Sequence, residues 1–138
     1  MNSVLVTDQL LDTQAIIKLV EAEEGGALNV FIGTVRNATK GKKVLKLGFE
    51  AYEPMATKEL EKIIESANSK WPILKVAVHH RTGVMQIGEV PVVIAVSTAH
   101  RRAGFEACQF IIDTLKETVP IWKKEFFEDG EVWVAAHP

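Results

Sequence analysis

The chain has 138 residues, of which 47% are hydrophobic and 25% charged, values typical of one globular domain over 1–138. Its formal net charge of −2 argues against a nucleic-acid-binding protein, because such proteins need a strongly basic face. No apolar stretch approaches the roughly 20 residues that span a membrane, and the first residues have neither the basic nor the apolar region of a signal peptide.

Hydrophobic periodicity and turn residues predict strands that alternate with helices. The strands are predicted at 4–7, 26–37, 44–53, 73–83 and 90–100. The helices are predicted at 12–25, 54–71 and 101–118. A hairpin that turns at Asp129-Gly130 is predicted to follow the last helix. This pattern indicates an α+β (mixed α/β) fold, in which helices pack on an antiparallel or mixed sheet.

Two of these segments carry specific expectations about burial. The strand at 26–37 is rich in branched residues and is predicted to be mostly buried. The last helix is predicted to bury an apolar stripe formed by Phe105, Cys108, Ile111, Ile112 and Leu115. Cys108 is the only cysteine and is expected to pack as a small hydrophobe. Because it has no disulfide partner, a reducing compartment such as the cytoplasm is predicted.

Cationic residues gather at three places where predicted elements end. The first is "GTVRN", where Arg36 follows an apolar strand. Gly33 would let a ligand approach the backbone closely, and the amides of Thr34 and Val35 could then face it. A plain surface arginine at the end of a strand is the alternative interpretation.

The second place is "STAHRR", which lies between a strand and a helix. Free amides and the helix dipole at such a junction favour an anion, and His100 and Arg101 would add donors. The alternative is that Ser97 or Thr98 caps the helix and the arginines are solvated.

The third place is "TLKETVPIWKKE", which surrounds a Pro-Ile-Trp corner. Lys116 suits the last turn of a helix, where a cation complements free carbonyls, so this residue alone indicates no ligand. Pro120 forces a turn, and in a strand Lys123 and Lys124 point to opposite faces. Periodicity does not decide which of the two shares a site with Lys116. Burial beside other cations would lower the pKa of a lysine and make it a better base or nucleophile.

No residue spacing predicts a metal site or a glycine-rich phosphate loop. The adjacent His79 and His80 point to opposite faces of a strand, and no cysteine pair accompanies them. A metal-free site is therefore expected.

Several stretches together resemble the large, catalytic subunit of molybdopterin synthase. They are "FIGTVRN", "YEPMATKELEKI", "STAHRRAGFEACQFIIDTLKETVPIWKKE" and "GEVWV", and they cover most of the chain in the order of that family. The resemblance implies an α/β hammerhead fold and no cofactor. It implies that cyclic pyranopterin monophosphate is converted to molybdopterin, with sulfur from the C-terminal thiocarboxylate of a small ubiquitin-like partner subunit. It also implies a homodimer of large subunits within a heterotetramer, with neither nucleic acid nor membrane as a partner.

Carried over by motif, the resemblance assigns catalytic roles to Lys116 and Lys123. It assigns substrate contacts to both lysines and to Thr34, Val35, Arg36, His100, Arg101, Lys124 and Glu125. We expect these positive groups to encircle one cavity, although the order of the two lysine roles stays open. The alternative function is a non-catalytic module that binds a carboxylate-ended peptide or a phosphate ligand.

Overall fold

The computed structural model describes residues 1–135, so 136–138 of the predicted domain lie outside the described residues. The helices are α1 (Thr13–Leu19), α2 (Glu53–Lys70) and α3 (Arg101–Thr118). The strands are β1 (Asn2–Thr7), β2 (Ala27–Gly33), β3 (Ala38–Thr39), β4 (Lys42–Lys43), β5 (Lys46–Ala51), β6 (Ile73–Arg81), β7 (Gly83–Gln86), β8 (Val92–Thr98), β9 (Ile121–Phe127) and β10 (Gly130–Ala135). None of the helices in this part of the chain combines the length and apolarity needed to cross a membrane.

The first sheet has the strand order β1-β6-β8-β2, with β1 parallel to β6 and the other pairs antiparallel. Its central strands are built from valine, alanine and isoleucine, because both of their faces are covered. The α2 and α3 helices pack their apolar stripes on one face. The shorter α1 covers part of the other face through Ile16 and Val20.

The second sheet is antiparallel, with the order β10-β9-β5-β7. The β9 and β10 strands form the predicted hairpin, and Gly130 adopts the positive φ of 139° that this turn requires. A small β3–β4 ribbon turns at Lys40 and Gly41, between the predicted strands at 26–37 and 44–53. The predicted α+β class, with antiparallel and mixed sheets packed by helices, is confirmed.

Three details of the sequence prediction are wrong. The α1 helix ends at Leu19 and not near Gly25, because the chain turns at Val20 to return to the sheet. The β2 strand is only half buried, since it lies at the sheet edge and one of its faces is open. Phe105 of α3 is 64% exposed, because it lies outside the stripe that faces the sheet. That stripe consists of Gly104, Ala107, Cys108, Ile111, Ile112 and Leu115.

Besides the two-residue strands β3 and β4, one further strand was not predicted. The β7 strand pairs with β5 within a segment whose glycines indicate turns. Gly83 and Gly88 do adopt positive φ angles, of 102° and 88°. They flank the strand rather than interrupt it, and Met85 between them is fully buried. Because turn residues lie at both ends of this four-residue segment, its sequence does not indicate a strand.

Candidate active site

A cavity of about 850 Å³ lies where the two main sheets meet the end of α3. The first sheet contributes the ends of β2 and β6 and the start of β8, and the second contributes β5 and β9. Its lining falls into a cationic wall and an apolar wall. The cationic wall contains Arg36, Lys40, Lys116 and Lys123. The apolar wall contains Phe31, Leu47, Phe49, Val92, Ile112 and Leu115.

The corner at Pro120 brings two lysines to this cavity. Lys116 lies in the last turn of α3, Val119 caps the helix, and β9 begins at Ile121. The pairing of β9 with β5 places Lys123 opposite Phe49, on the face of the sheet that lines the cavity. The geometry therefore favours Lys123 over its neighbour as the companion of Lys116.

Glu125 follows on the same face of β9 and is buried, with 6% of its surface exposed. Its Oε2 atom has no hydrogen-bond partner among the described residues. A buried carboxylate oxygen without a donor is costly, so a ligand that supplies an N–H or O–H would satisfy it.

Arg36 reaches the cavity from a loop held by backbone hydrogen bonds. The Val35 amide donates to the Glu89 carbonyl at 2.9 Å, and the Gly88 amide donates to the Val35 carbonyl at 2.8 Å. The Arg81 guanidinium also binds the Glu89 carboxylate, at 2.8 Å. These contacts fix the position of Arg36, but they occupy the Val35 amide, which therefore does not face a ligand as expected. Thr34 does line the cavity.

The cationic wall has an effect on the chemistry of Lys123. Burial lowers the pKa of Lys123, the charges of Arg36 and Lys116 lower it further, and the charge of Glu125 opposes this. Among the described residues, none of these three cations forms a salt bridge. The cationic wall therefore provides fixed positive charge, which suits a small anionic ligand. It also contains Lys123, whose lowered pKa makes its neutral form more accessible than usual.

Val35 does not line the cavity, and three further predicted contact residues lie away from it. Lys124 points to the other face of β9, where its Nζ lies 2.8 Å from a Glu131 carboxylate oxygen and 4.7 Å from the centre of the Trp133 ring. Alternation along the strand separates it from Lys123. His100 and Arg101 begin α3, about 22 Å along the helix axis from Lys116. Within one chain, therefore, the predicted positive groups do not all surround this cavity, contrary to the expectation.

The helix start at "STAHRR" has no side-chain cap. The Thr98 hydroxyl donates to the His100 carbonyl at 2.7 Å instead of accepting from a helix amide. His100 and Arg101 are exposed there. The alternative that Ser97 or Thr98 caps the helix is therefore wrong. Its second part, that the arginines are solvated, agrees with the structure.

The lining residues that were not predicted from the sequence include Lys40, Phe49 and His80. Lys40 has a positive φ of 51°, a conformation that sequence rarely indicates for lysine. His80 shares a strand face with Val76 and Val78, and this alternation could have placed it on the inner face. Only the approach of the second sheet makes that face part of a cavity, and the sequence does not show this contact.

The fold and the site together define a class of protein: an α+β protein whose two sheets enclose a cationic cavity. The described residues include no cluster of three or more His, Cys, Asp or Glu side chains that could hold a metal ion. The family described as MoaE protein matches residues 6–118. The chain is 50% identical over 129 residues to the molybdopterin synthase catalytic subunit of Bacillus subtilis (strain 168), covering 94% of this chain and 82% of that one.

Two further comparisons agree. The molybdopterin synthase catalytic subunit of Halalkalibacterium halodurans is 49% identical over 129 residues, which cover 94% of this chain and 83% of that protein. The crystal structure of molybdopterin synthase from Staphylococcus aureus has a TM-score of 0.89 and 42% identity, and covers 94% of both chains. This chain belongs to the family of molybdopterin synthase catalytic subunits.

Proposed function

We propose that this protein transfers sulfur in molybdopterin synthesis. The thiocarboxylate at the C-terminus of a small ubiquitin-like partner subunit is the donor, and cyclic pyranopterin monophosphate is the acceptor. The observation that carries the proposal is the convergence of Arg36, Lys116 and Lys123, from a loop, a helix and a strand, on one cavity. A cytoplasmic location and the absence of a metal or organic cofactor belong to the same proposal.

The cationic wall supplies what this chemistry requires. The substrate phosphate accepts charge-assisted hydrogen bonds from Arg36. Attack at the acyl–sulfur bond develops negative charge on oxygen, which fixed cations in a partly buried cavity stabilise. We assign Lys116 to the thiocarboxylate, where it polarises the acyl group or moves a proton. Lys123 then holds the phosphate or assists its loss, and its lowered pKa favours the neutral form that can accept a proton.

A second copy of the chain would complete the site. The exposed edge strand β2 presents an apolar row of Leu28, Val30 and Ile32, which are 46%, 37% and 42% exposed. Ile32 also lines the cavity, so this row continues to the site. Exposed apolar rows of this kind are typical of contacts between subunits.

Symmetry then determines which residues the second copy contributes. The start of β2 lies beside the helix junction, since Ala27 pairs with Thr98 and Gly26 donates to the Thr98 carbonyl. The end of β2, at Gly33, lies at the cavity. A twofold axis through the middle of β2 places the start of one strand opposite the end of the other. His100 and Arg101 of the second copy would thereby approach the cavity of the first, within the proposed homodimer and heterotetramer.

Replacement of the Lys116 ammonium tests the activity. With a thiocarboxylated partner subunit and cyclic pyranopterin monophosphate, the wild-type chain should form the dithiolene product. Lys116→Ala should lower the rate by at least about a hundredfold, the effect of removing one fixed group that stabilises developing charge. Lys58→Ala, on the exposed face of α2, is the matched control and should retain the wild-type rate.

Binding of the partner separates catalysis from assembly. Lys116→Ala should still form the complex with the small subunit, as measured by sedimentation. Full turnover by Lys116→Ala would contradict the catalytic assignment. A wild-type chain that binds the partner tail without forming product would favour the non-catalytic binding module instead.

A further inference from the structure

His80 lies in the wall of the cavity but has no role in the chemistry described so far. Its Nδ1 atom lies 2.9 Å from the Arg81 carbonyl oxygen. A carbonyl oxygen can only accept, so Nδ1 carries the proton and Nε2 has a free lone pair. The ring is also fixed by an edge-on contact with Phe49, at 5.5 Å between ring centres and 70° between the ring planes. His80 is therefore an oriented acceptor rather than a mobile side chain.

The cavity contains many donors and few acceptors. The cationic wall consists of lysine and arginine side chains, which donate hydrogen bonds and do not accept them in their charged forms. Among the ionisable side chains that line the cavity, only Glu125 and His80 can accept. A ligand that combines an anion with N–H groups therefore has donors for its anion on one side. For its own N–H groups the acceptors are these two side chains and the hydroxyls of Thr34 and Thr39.

Burial keeps the Nε2 atom of His80 unprotonated, so that it can accept a hydrogen bond. Desolvation lowers the pKa of His80 to about 4, although its bond to the Arg81 carbonyl opposes the shift. The imidazole is therefore neutral at physiological pH and does not add to the positive charge of the cavity. The ring lies 3% exposed beside Phe49, in the part of the lining that is apolar and suits a flat heterocycle.

We propose that His80 determines specificity for the heterocycle, because its Nε2 accepts a hydrogen bond from a ring or exocyclic N–H of the pterin while the cationic wall holds the phosphate. This inference rests on the proposed function, since it concerns the same substrate. It divides recognition between two kinds of lining residue: the cations hold the phosphate, and His80 selects the ring.

Two variants of His80 test this division. His80→Asn retains a donor for the Arg81 carbonyl but has no acceptor at the Nε2 position, whereas His80→Gln can present an amide oxygen near that position. The loss of one hydrogen bond from an otherwise intact site should raise KM for cyclic pyranopterin monophosphate about tenfold in His80→Asn. The increase in His80→Gln should be smaller. KM for the partner subunit should not change in either variant.

Inorganic phosphate provides the internal control. It should inhibit wild type and His80→Asn with the same inhibition constant, because it contacts the cationic wall alone. An unchanged KM for the pterin in His80→Asn would overturn the inference, and so would an equal loss of phosphate inhibition, which indicates a damaged cavity. If His80→Asn does not fold, His80→Leu replaces it, since leucine fills a similar volume without a nitrogen acceptor.

A binding titration distinguishes this inference from the proposed function. Cyclic pyranopterin monophosphate is titrated into wild type and His80→Asn without any partner subunit. Weaker binding by the variant supports the role of His80, even if the wild-type chain forms no product and the proposed function fails. Equal binding by the two chains overturns the role of His80, even if product forms normally.

Discussion

The acid–base behaviour of Lys123 depends on three charged neighbours, two of which oppose its ammonium form. Arg36 and Lys116 add to the effect of burial, and only the Glu125 carboxylate favours the protonated lysine. The Lys123 and Glu125 side chains of β9 are therefore coupled through their charges, although no salt bridge joins them. Such a pair allows a small change in the cavity to alter the protonation of Lys123.

Neutralising Glu125 should lower the pKa of Lys123 further. In Glu125→Gln the favourable charge is lost while the repulsion from Arg36 and Lys116 remains, so the ammonium form becomes less stable. Titration of the Lys123 Cε resonance by NMR measures the shift directly. Glu50→Gln is the matched control, because Glu50 lies on the opposite face of the sheet and is exposed. An unchanged or raised pKa of Lys123 in Glu125→Gln would contradict this account.

At the scale of elements, α3 carries Lys116 at one end and packs very closely against β2 and β8 of the first sheet. Gly104 is the point of contact, where an added Cβ would collide with the Asn29 side-chain oxygen and crowd the Thr98 hydroxyl. The glycine thus sets the distance between helix and sheet. The position of Lys116 at the other end of α3 depends on the same packing.

Gly104→Ala should therefore destabilise the protein, by about 1–3 kcal/mol. Helix propensity alone predicts the opposite sign, since alanine is favoured over glycine by about 1 kcal/mol within a helix. Denaturant unfolding measures the difference. The double variant Asn29→Ala/Gly104→Ala should lose less stability than the sum of its single changes, because the colliding oxygen is gone. Equal or greater stability of Gly104→Ala would show that the helix moves at no cost.

The sequence predicts elements well where one signal dominates. The α3 helix begins and ends as predicted, since its stripe is continuous and Pro120 terminates it. The burial of β2 was wrong because branched residues have the same pattern whether a strand is central or at an edge. Arg36, Lys116 and Lys123 of the cavity were predicted from their positions at element ends and from the family resemblance, whereas Lys40 was not predicted. Phe49 and His80 were missed because they become neighbours only when the two sheets meet.

At the scale of the whole molecule, the predicted site residues of one chain form two separate groups. Lys116 and Lys123 line the cavity, while His100 and Arg101 lie at the other end of α3. A twofold contact through β2 would bring the two groups together from different chains. Activity should therefore depend on pairs of chains, and the two groups should be separable by mutation.

Mixing of two inactive variants tests this arrangement most directly. Lys123→Ala and Arg101→Ala should each be inactive alone, but after subunit exchange half of the dimers are mixed and carry one intact site, giving about a quarter of wild-type activity. In the control, the chain with both changes is exchanged with wild type and should yield only the activity of the remaining wild-type dimers. Recovery to about a quarter of wild-type activity would support a cavity shared between two copies. No recovery in dimers verified as mixed would contradict it.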